Sequence, residues 1–184
     1  MITILNICFN HMIGLPVKGA PRPLYQWQKK YLFDSLEQYK YNWVKKAAGI
    51  GVSEFVLRYI AWKCLVSNNW KNGNVCIVSA PNERLATRLL YERLRPMFYN
   101  LDNNVTFESE KKVLELNKVH IESYASNHLE GMRSLVNVKF IFLDEADFWH
   151  PSEMQNVRDV SERCIAKSDV SIFMASTPNT PGWE

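Results

Sequence analysis

Two adjacent carboxylates follow an apolar run: Phe140-Ile141-Phe142-Leu143 leads directly into Asp144-Glu145-Ala146-Asp147. Four consecutive apolar residues predict a strand buried on both faces. Open α/β sheets bind ligands at the C-terminal ends of such strands, and charges buried there are costly unless a cation or a hydrogen-bonded substrate compensates. Carboxylates in that position suit phosphoryl chemistry, with Asp144 holding a Mg²⁺-bound water and Glu145 polarising the water that attacks a γ-phosphate. The plainer reading makes Asp144 a helix N-cap. Two acids exceed what a cap needs, however, and Ser152-Glu153-Met154-Gln155 offers its own capping-box start for a helix reaching about Ala166.

A second group stands a hundred residues earlier. Trp43-Val44-Lys45-Lys46-Ala47-Ala48-Gly49-Ile50-Gly51-Val52-Ser53-Glu54 reads as a strand, a glycine-bearing loop and a helix opening at Ser53. Half of the phosphate-loop pattern G-x-x-x-x-G-K-[ST] is present. Gly51 and Ser53 fit, while Val52 stands where the lysine belongs. A loop that cradles triphosphate needs a cation, and the nearby candidates are Lys45 and Lys46. Residues 53–66 form an apolar helix that must be buried against a sheet, which would fix its axis and aim its N-terminal N–H groups at an anion. The segment is either a working phosphate loop or a turn that looks like one.

Two weaker groups complete the set. Ser176-Thr177-Pro178 ends the apolar stretch 170–175, where small hydroxyls could relay the state of a phosphate, although Thr-Pro-Asn-Thr-Pro-Gly is also a plain turn. Gln28 lies beside Trp27 in a stretch, 24–36, with helical spacing. The bland reading is an amphipathic helix with Tyr31 and Leu32 inward, and the functional one a glutamine that reads an adenine edge.

The elements that must carry these groups alternate. After the loop and its helix come a short strand at 74–80, a helix at 83–97 capped by Asn82 with Leu85, Leu89 and Leu94 (or Leu90) inward, and the strands at 140–143 and 170–175. This predicts an α/β fold with a mostly parallel sheet flanked by helices. Three short alternating runs at 105–109, 112–116 and 119–124, two of them joined by a turn at Asn117-Lys118, predict a small antiparallel insertion. Residues 125–135 read as a polar loop.

A chain of 184 residues with 47% apolar and 22% charged content is one globular domain with a real core. A net charge of +3 is too small to argue for nucleic acid and too small to exclude a local basic groove. The four cysteines are scattered without a C-x-x-C pair, as expected of reduced thiols in a cytoplasmic protein. Residues 1–23 read as an N-terminal arm and a proline-rich linker. The apolar start lacks a basic n-region and is too short to span a bilayer, so no membrane association is expected.

The order of the groups, from loop and helix to Asp-Glu strand to Ser-Thr-Pro strand, resembles the ATPase domain of tailed-virus terminase large subunits. More distantly, it is similar to superfamily 2 helicases, which share the Asp-Glu-Ala-Asp string. The terminase match runs from about Leu24 to Pro178, and the domain is expected to span 24–184. The resemblance implies a P-loop NTPase fold of the RecA/ASCE type and Mg²⁺-dependent ATP hydrolysis that drives DNA into a capsid. It also implies a deviant loop with its lysine moved to the first position, here Lys46. Residues Lys46, Ala47, Ala48, Gly49, Ile50, Gly51, Val52 and Ser53 would then hold the phosphates, and Lys45 would point to the opposite face of the strand. By the same likeness Gln28 senses adenine, Ser53 and Asp144 bind Mg²⁺, Glu145 is the catalytic glutamate, and Ser176 and Thr177 are the coupling residues. Implied partners are double-stranded DNA, a portal, a small terminase subunit and other copies of the chain in a ring, in the cytoplasm of a host cell.

Many terminases carry an arginine inside the loop. Gly49 stands at that place here, leaving Arg133 or a neighbouring subunit's arginine as substitutes. Terminases continue into a nuclease domain, so no nuclease activity is expected of residues up to Glu184, and the ATPase sheet is expected to be incomplete there. A helicase-like remodelling ATPase and a truncated nucleotide-binding or scaffolding remnant are the alternatives.

Overall fold

The protein was analysed as a computed structural model in which residues 25–79, 83–98, 107–109 and 113–178 are described. The arm and linker at 1–23, the cap at Asn82 and Cys8 lie outside them. A π-helical turn, Gln28–Phe33, runs into α1 (Asp34–Gln38) and then β1 (Tyr41–Lys45). The glycine loop leads into α2 (Val52–Val66), a 3-10 turn (Asn68–Trp70) and β2 (Asn74–Ser79). Next come α3 (Glu83–Arg88), prolonged by a π-helical turn (Leu89–Leu94) and a 3-10 turn (Arg95–Phe98), and the strands β3 (Phe107–Ser109), β4 (Val113–Leu116) and β5 (Val119–Ala125). The last elements are α4 (Glu130–Ser134), β6 (Val138–Asp144), a 3-10 turn (Ala146–Phe148), α5 (Pro151–Lys167) and β7 (Ser171–Ser176).

Among the described residues, seven strands form one sheet in the order β1-β7-β6-β2-β5-β4-β3. The first five of that order run parallel, and β4 and β3 continue the sheet antiparallel. β7 therefore lies between the loop strand β1 and the acidic strand β6, so all three C-terminal ends open at one edge of the sheet.

The apolar strands are covered on both sides, as their lack of alternation requires. Phe140, Phe142 and Phe173 pack with Phe55, Leu57 and Ile60 of α2 on one face. Ile141 and Leu143 pack with Val157 and Val160 of α5 on the other. Burying α2 this fully, with Phe55, Val56, Leu57, Ile60 and Ala61 at zero exposure, fixes its axis against the sheet. Cys64, Cys76 and Cys164 are buried and unpaired, and burial pushes each thiol up. As inert core thiols they match the sequence expectation.

Several local expectations need correction. β5 is not part of a separate insertion: it pairs in parallel with β2 and only its other edge is antiparallel. Its alternation came from pairing with β4 through the tight turn at Asn117 and Lys118, both at positive φ as such a hairpin requires. Tyr31 is exposed while Leu32 is buried, because the π-helical turn rotates the face that the 3.6 period predicts. Leu85 is likewise exposed, while Leu89, Leu90 and Leu94 are buried. The polar stretch after β5 holds the short helix α4, and α5 is capped by His150 rather than Ser152. His150 Nδ1 accepts from the Ser152 N–H at 3.3 Å, and the His150 N–H donates to Glu153 at 3.1 Å.

Candidate active site

β1 sets the two lysines apart. Asn42, Val44 and Lys46 turn inward while Tyr41, Trp43 and Lys45 stay exposed, the period-2 alternation of a strand. Lys46 is buried and its Nζ pairs with Glu145 Oε1 and donates to Thr177 Oγ1 at 3.1 Å. Lys45 lines a different cleft with Trp43, Asp147, Ser176 and Pro178.

The loop between β1 and α2 is held open by two glycines at positive φ. Gly49 is at +75°, and Gly51, the residue before α2, is at +84°. Both values lie in the left-handed region that favours glycine. Gln28 packs beneath this turn: its Nε2 donates to the Gly51 carbonyl at 3.3 Å, and its Oε1 accepts from the Tyr25 N–H at 2.9 Å. A Cβ on Gly51 would meet that Nε2 at 3.3 Å, so the glycine also permits the close approach. Gln28 therefore braces the loop.

At the head of α2, Ser53 Oγ donates to Asp144 Oδ1 at 2.8 Å. Burial pushes the Asp144 carboxyl up, and the Glu145 charge adds to this. The Ser53 hydrogen bond and the charges of Lys46 and Arg93 oppose it without cancelling it. Glu145 ends the strand in a left-handed conformation, φ 54°, uncommon for a non-glycine residue and typical of functional sites. Partial burial pushes its carboxyl up as well. The Lys46 hydrogen bond, the Thr177 N–H at 2.9 Å and the Lys46 charge outweigh burial, so its pKa is lowered. The two neighbouring acids are thus driven in opposite directions.

β7 joins the loop strand to the acids. The Lys46 N–H donates to the Ser176 carbonyl at 2.9 Å, Ser176 Oγ accepts from the Asp147 N–H at 2.8 Å, and Thr177 contacts both Lys46 and Glu145. The cleft at the loop, about 250 Å³, is lined by Lys46, the Gly49–Ser53 turn, Glu54, Arg93 and Glu145. Of the residues singled out from the sequence, Lys46, Gly49, Ile50, Gly51, Val52, Ser53 and Glu145 line it together. Asp144 adjoins through Ser53, and Thr177 through Lys46 and Glu145. Ala47 and Ala48 are exposed on the approach to the turn, Gln28 lies behind it, and Ser176 faces the second cleft.

Arg133 is not at this cleft, since its Nη2 donates to Asn156 on α5 at 2.6 Å. Arg93, which the sequence reading overlooked, is there instead. It belongs to the π-helical turn after α3, and no motif marks it in the sequence.

The loop, acid and hydroxyl strand ends thus converge at one edge of a mostly parallel α/β sheet. Among solved structures the chain is similar to the large terminase of bacteriophage HK97, with a TM-score of 0.75 at 13% identity over 96% of this chain and 38% of that one. It is also similar to the large terminase ATPase domain of Thermus phage P74-26, with a TM-score of 0.61 at 13% identity over 79% of this chain and 62% of that one. A third likeness is to the N-terminal domain of the DNA packaging ATPase of bacteriophage phi29, at 0.60 and 16% over 85% and 80%. The fold is therefore that of terminase-like ATPase domains, and the chain spans less than two thirds of the length of the first two of these structures. No protein-family model matches the sequence, and no curated protein matches it either. Among the described residues no helix is long and apolar enough to cross a membrane.

Proposed function

We propose that this chain binds ATP at the Lys46–Ser53 loop and hydrolyses it, as the ATPase part of a DNA-packaging motor. The observation that carries the reading is the convergence of Lys46, Ser53, Asp144 and Glu145, from three separate elements, on one cleft at the strand ends. The N–H groups at the head of α2 and the Lys46 ammonium take the phosphates. The adenine-sensing role of Gln28 is part of this reading, and its support is the contact of its amide with the Gly51 turn.

The donor set fits Mg²⁺. Ser53 Oγ and Asp144 Oδ1 are hard oxygens in contact, and the Asp144 carboxyl is buried at the strand end. Mg²⁺ typically uses one or two protein ligands together with phosphates and water. When bound there by Ser53 and Asp144, it would neutralise charge on the phosphate oxygens.

The protein's own part in the reaction follows from its contacts. Lys46 exchanges Glu145 for phosphate when ATP enters, freeing Glu145 Oε1 to orient water. The water oxygen bonds to the γ-phosphorus, the bond from that phosphorus to the β,γ-bridging oxygen breaks, Glu145 accepts the water proton, and ADP departs with the bridging oxygen. Thr177, touching both Lys46 and Glu145, is placed to transmit the exchange into β7.

Double-stranded DNA as the moved substrate, a homo-oligomeric ring, and docking to a portal and a small subunit in a host cytoplasm extend this reading. They rest on likeness to relatives described as a DNA packaging ATPase and a genome packaging motor assembly. The test is to measure Mg²⁺-dependent ATP hydrolysis and equilibrium ATP binding for the wild type and Glu145→Gln. Turnover should vanish in the variant while ATP binding persists, and turnover retained in the variant overturns the assignment.

A further inference from the structure

Phosphoryl transfer concentrates negative charge on the terminal phosphate, and catalysis consists largely of placing cations against it. The loop itself supplies one buried cation, Lys46. At Gly49 a side chain would have to adopt φ +75°, which L residues rarely do. A second side-chain cation, from another element, lines the same cleft.

Arg93 projects from the π-helical turn Leu89–Leu94, whose shifted hydrogen bonding is seen in the Arg95 N–H donating to the Leu90 carbonyl. Such single π turns recur at functional sites because the extra residue re-aims one side chain. Its Nη2 donates to Glu54 Oε2 at 3.1 Å, while Glu54 Oε1 accepts from Arg58 Nε at 3.1 Å. The two guanidinium partners of Glu54 differ in setting. The Arg58 side chain is 11% exposed, packed along α2, and that of Arg93 is 38% exposed at the mouth of the cleft. If Arg93 leaves, Glu54 keeps Arg58, so releasing the outer arginine strands no charge.

We propose that Arg93 is a catalytic arginine acting within its own chain, held on Glu54 until ATP binds and then transferred to the terminal phosphoryl group. Glu54 is its cradle, and Arg58 keeps that cradle neutral once Arg93 moves. The proposal rests on the ATPase reading above and deepens it by naming a residue that acts in the transition state.

The test compares the wild type with Arg93→Ala and Arg93→Gln. The glutamine retains a hydrogen-bond donor for Glu54 without the charge. Turnover, ATP affinity and the affinity for ADP with aluminium fluoride, a mimic of the planar phosphoryl group, are measured in Mg²⁺. Both variants should lose about 100-fold in kcat, with ATP affinity changed by less than about threefold, because the contact forms mainly in the transition state. Both should also lose the wild type's preference for ADP with aluminium fluoride over ADP. Wild-type turnover in either variant overturns the proposal, as does recovery in Arg93→Gln of what Arg93→Ala loses, which would make Arg93 a structural clasp on Glu54. A wild type that neither binds nor hydrolyses ATP overturns the ATPase reading and this proposal together. An active wild type with active Arg93 variants overturns this one alone.

Discussion

Two clefts open at the same strand ends, and neighbouring residues face into each. Lys46 and Glu145 line one with Ser53 and Arg93. Lys45, Asp147 and Ser176 line the other with Trp43 and Pro178. The first gathers a glycine turn, a helix N-terminus and side chains paired across three elements. The second has an exposed Trp43 as its largest wall and no helix N-terminus among its lining residues. Charge alone does not distinguish them, since both contain a lysine and a carboxylate. What distinguishes them is convergence: one face of β1 meets the head of α2, and the other does not.

The sharpest way to break this comparison is to exchange the lysines. Lys46→Ala should weaken ATP binding by about 100-fold, roughly 2.7 kcal/mol, while Lys45→Ala should change it by less than about threefold. Isothermal titration with ATP checks both, and equal losses would show that strand alternation does not assign the phosphate cation. A smaller effect is expected at Thr177, whose Oγ1 lies 3.1 Å from Lys46 Nζ and 3.4 Å from Glu145 Oε1. Thr177→Val keeps the shape and the backbone N–H but removes the hydroxyl. Losing hydrogen bonds of about 1 kcal/mol predicts a fall in kcat of about five- to tenfold in steady-state assays.

The smallest expected effect is on stability. The folded Glu145 carboxyl titrates below its ordinary 4.5, despite partial burial, because of Lys46 and Thr177. Its contribution is therefore fully present above pH 4.5 and is lost as the pH falls through the lowered value. The Tm difference between the wild type and Glu145→Gln should accordingly narrow as the pH falls below about 4.5 in thermal melts. A difference that stays constant would mean that the Lys46–Glu145 pair adds no stability.

Much of the loop cleft was legible because its residues follow local patterns. The spacing of Gly51 and Ser53, the position of Lys46 on β1 and the acids directly after an apolar strand are all read along the chain. Gln28 was found for its place beside an aromatic, yet its amide is engaged with the Gly51 carbonyl and the Tyr25 N–H, contacts that no spacing reveals. Arg93 was invisible because a π turn sets its direction, and the 3.6 period used to read helices cannot anticipate that register shift. Arg133, conspicuous in a polar loop, proved to bond Asn156 on a helix away from the cleft.

By itself, the sequence determined the parallel α/β class, the loop–acid–hydroxyl order and that Lys45 and Lys46 point to opposite faces, since burial and period 2 act within single elements. Tertiary structure alone decided that β7 lies between β1 and β6, that β5 joins the parallel sheet, and that Arg93 stands in the cleft beside Glu54. Strand order and cross-element ion pairs depend on how separate elements pack. Hydrophobic pattern specifies which face is buried, but not against which neighbour.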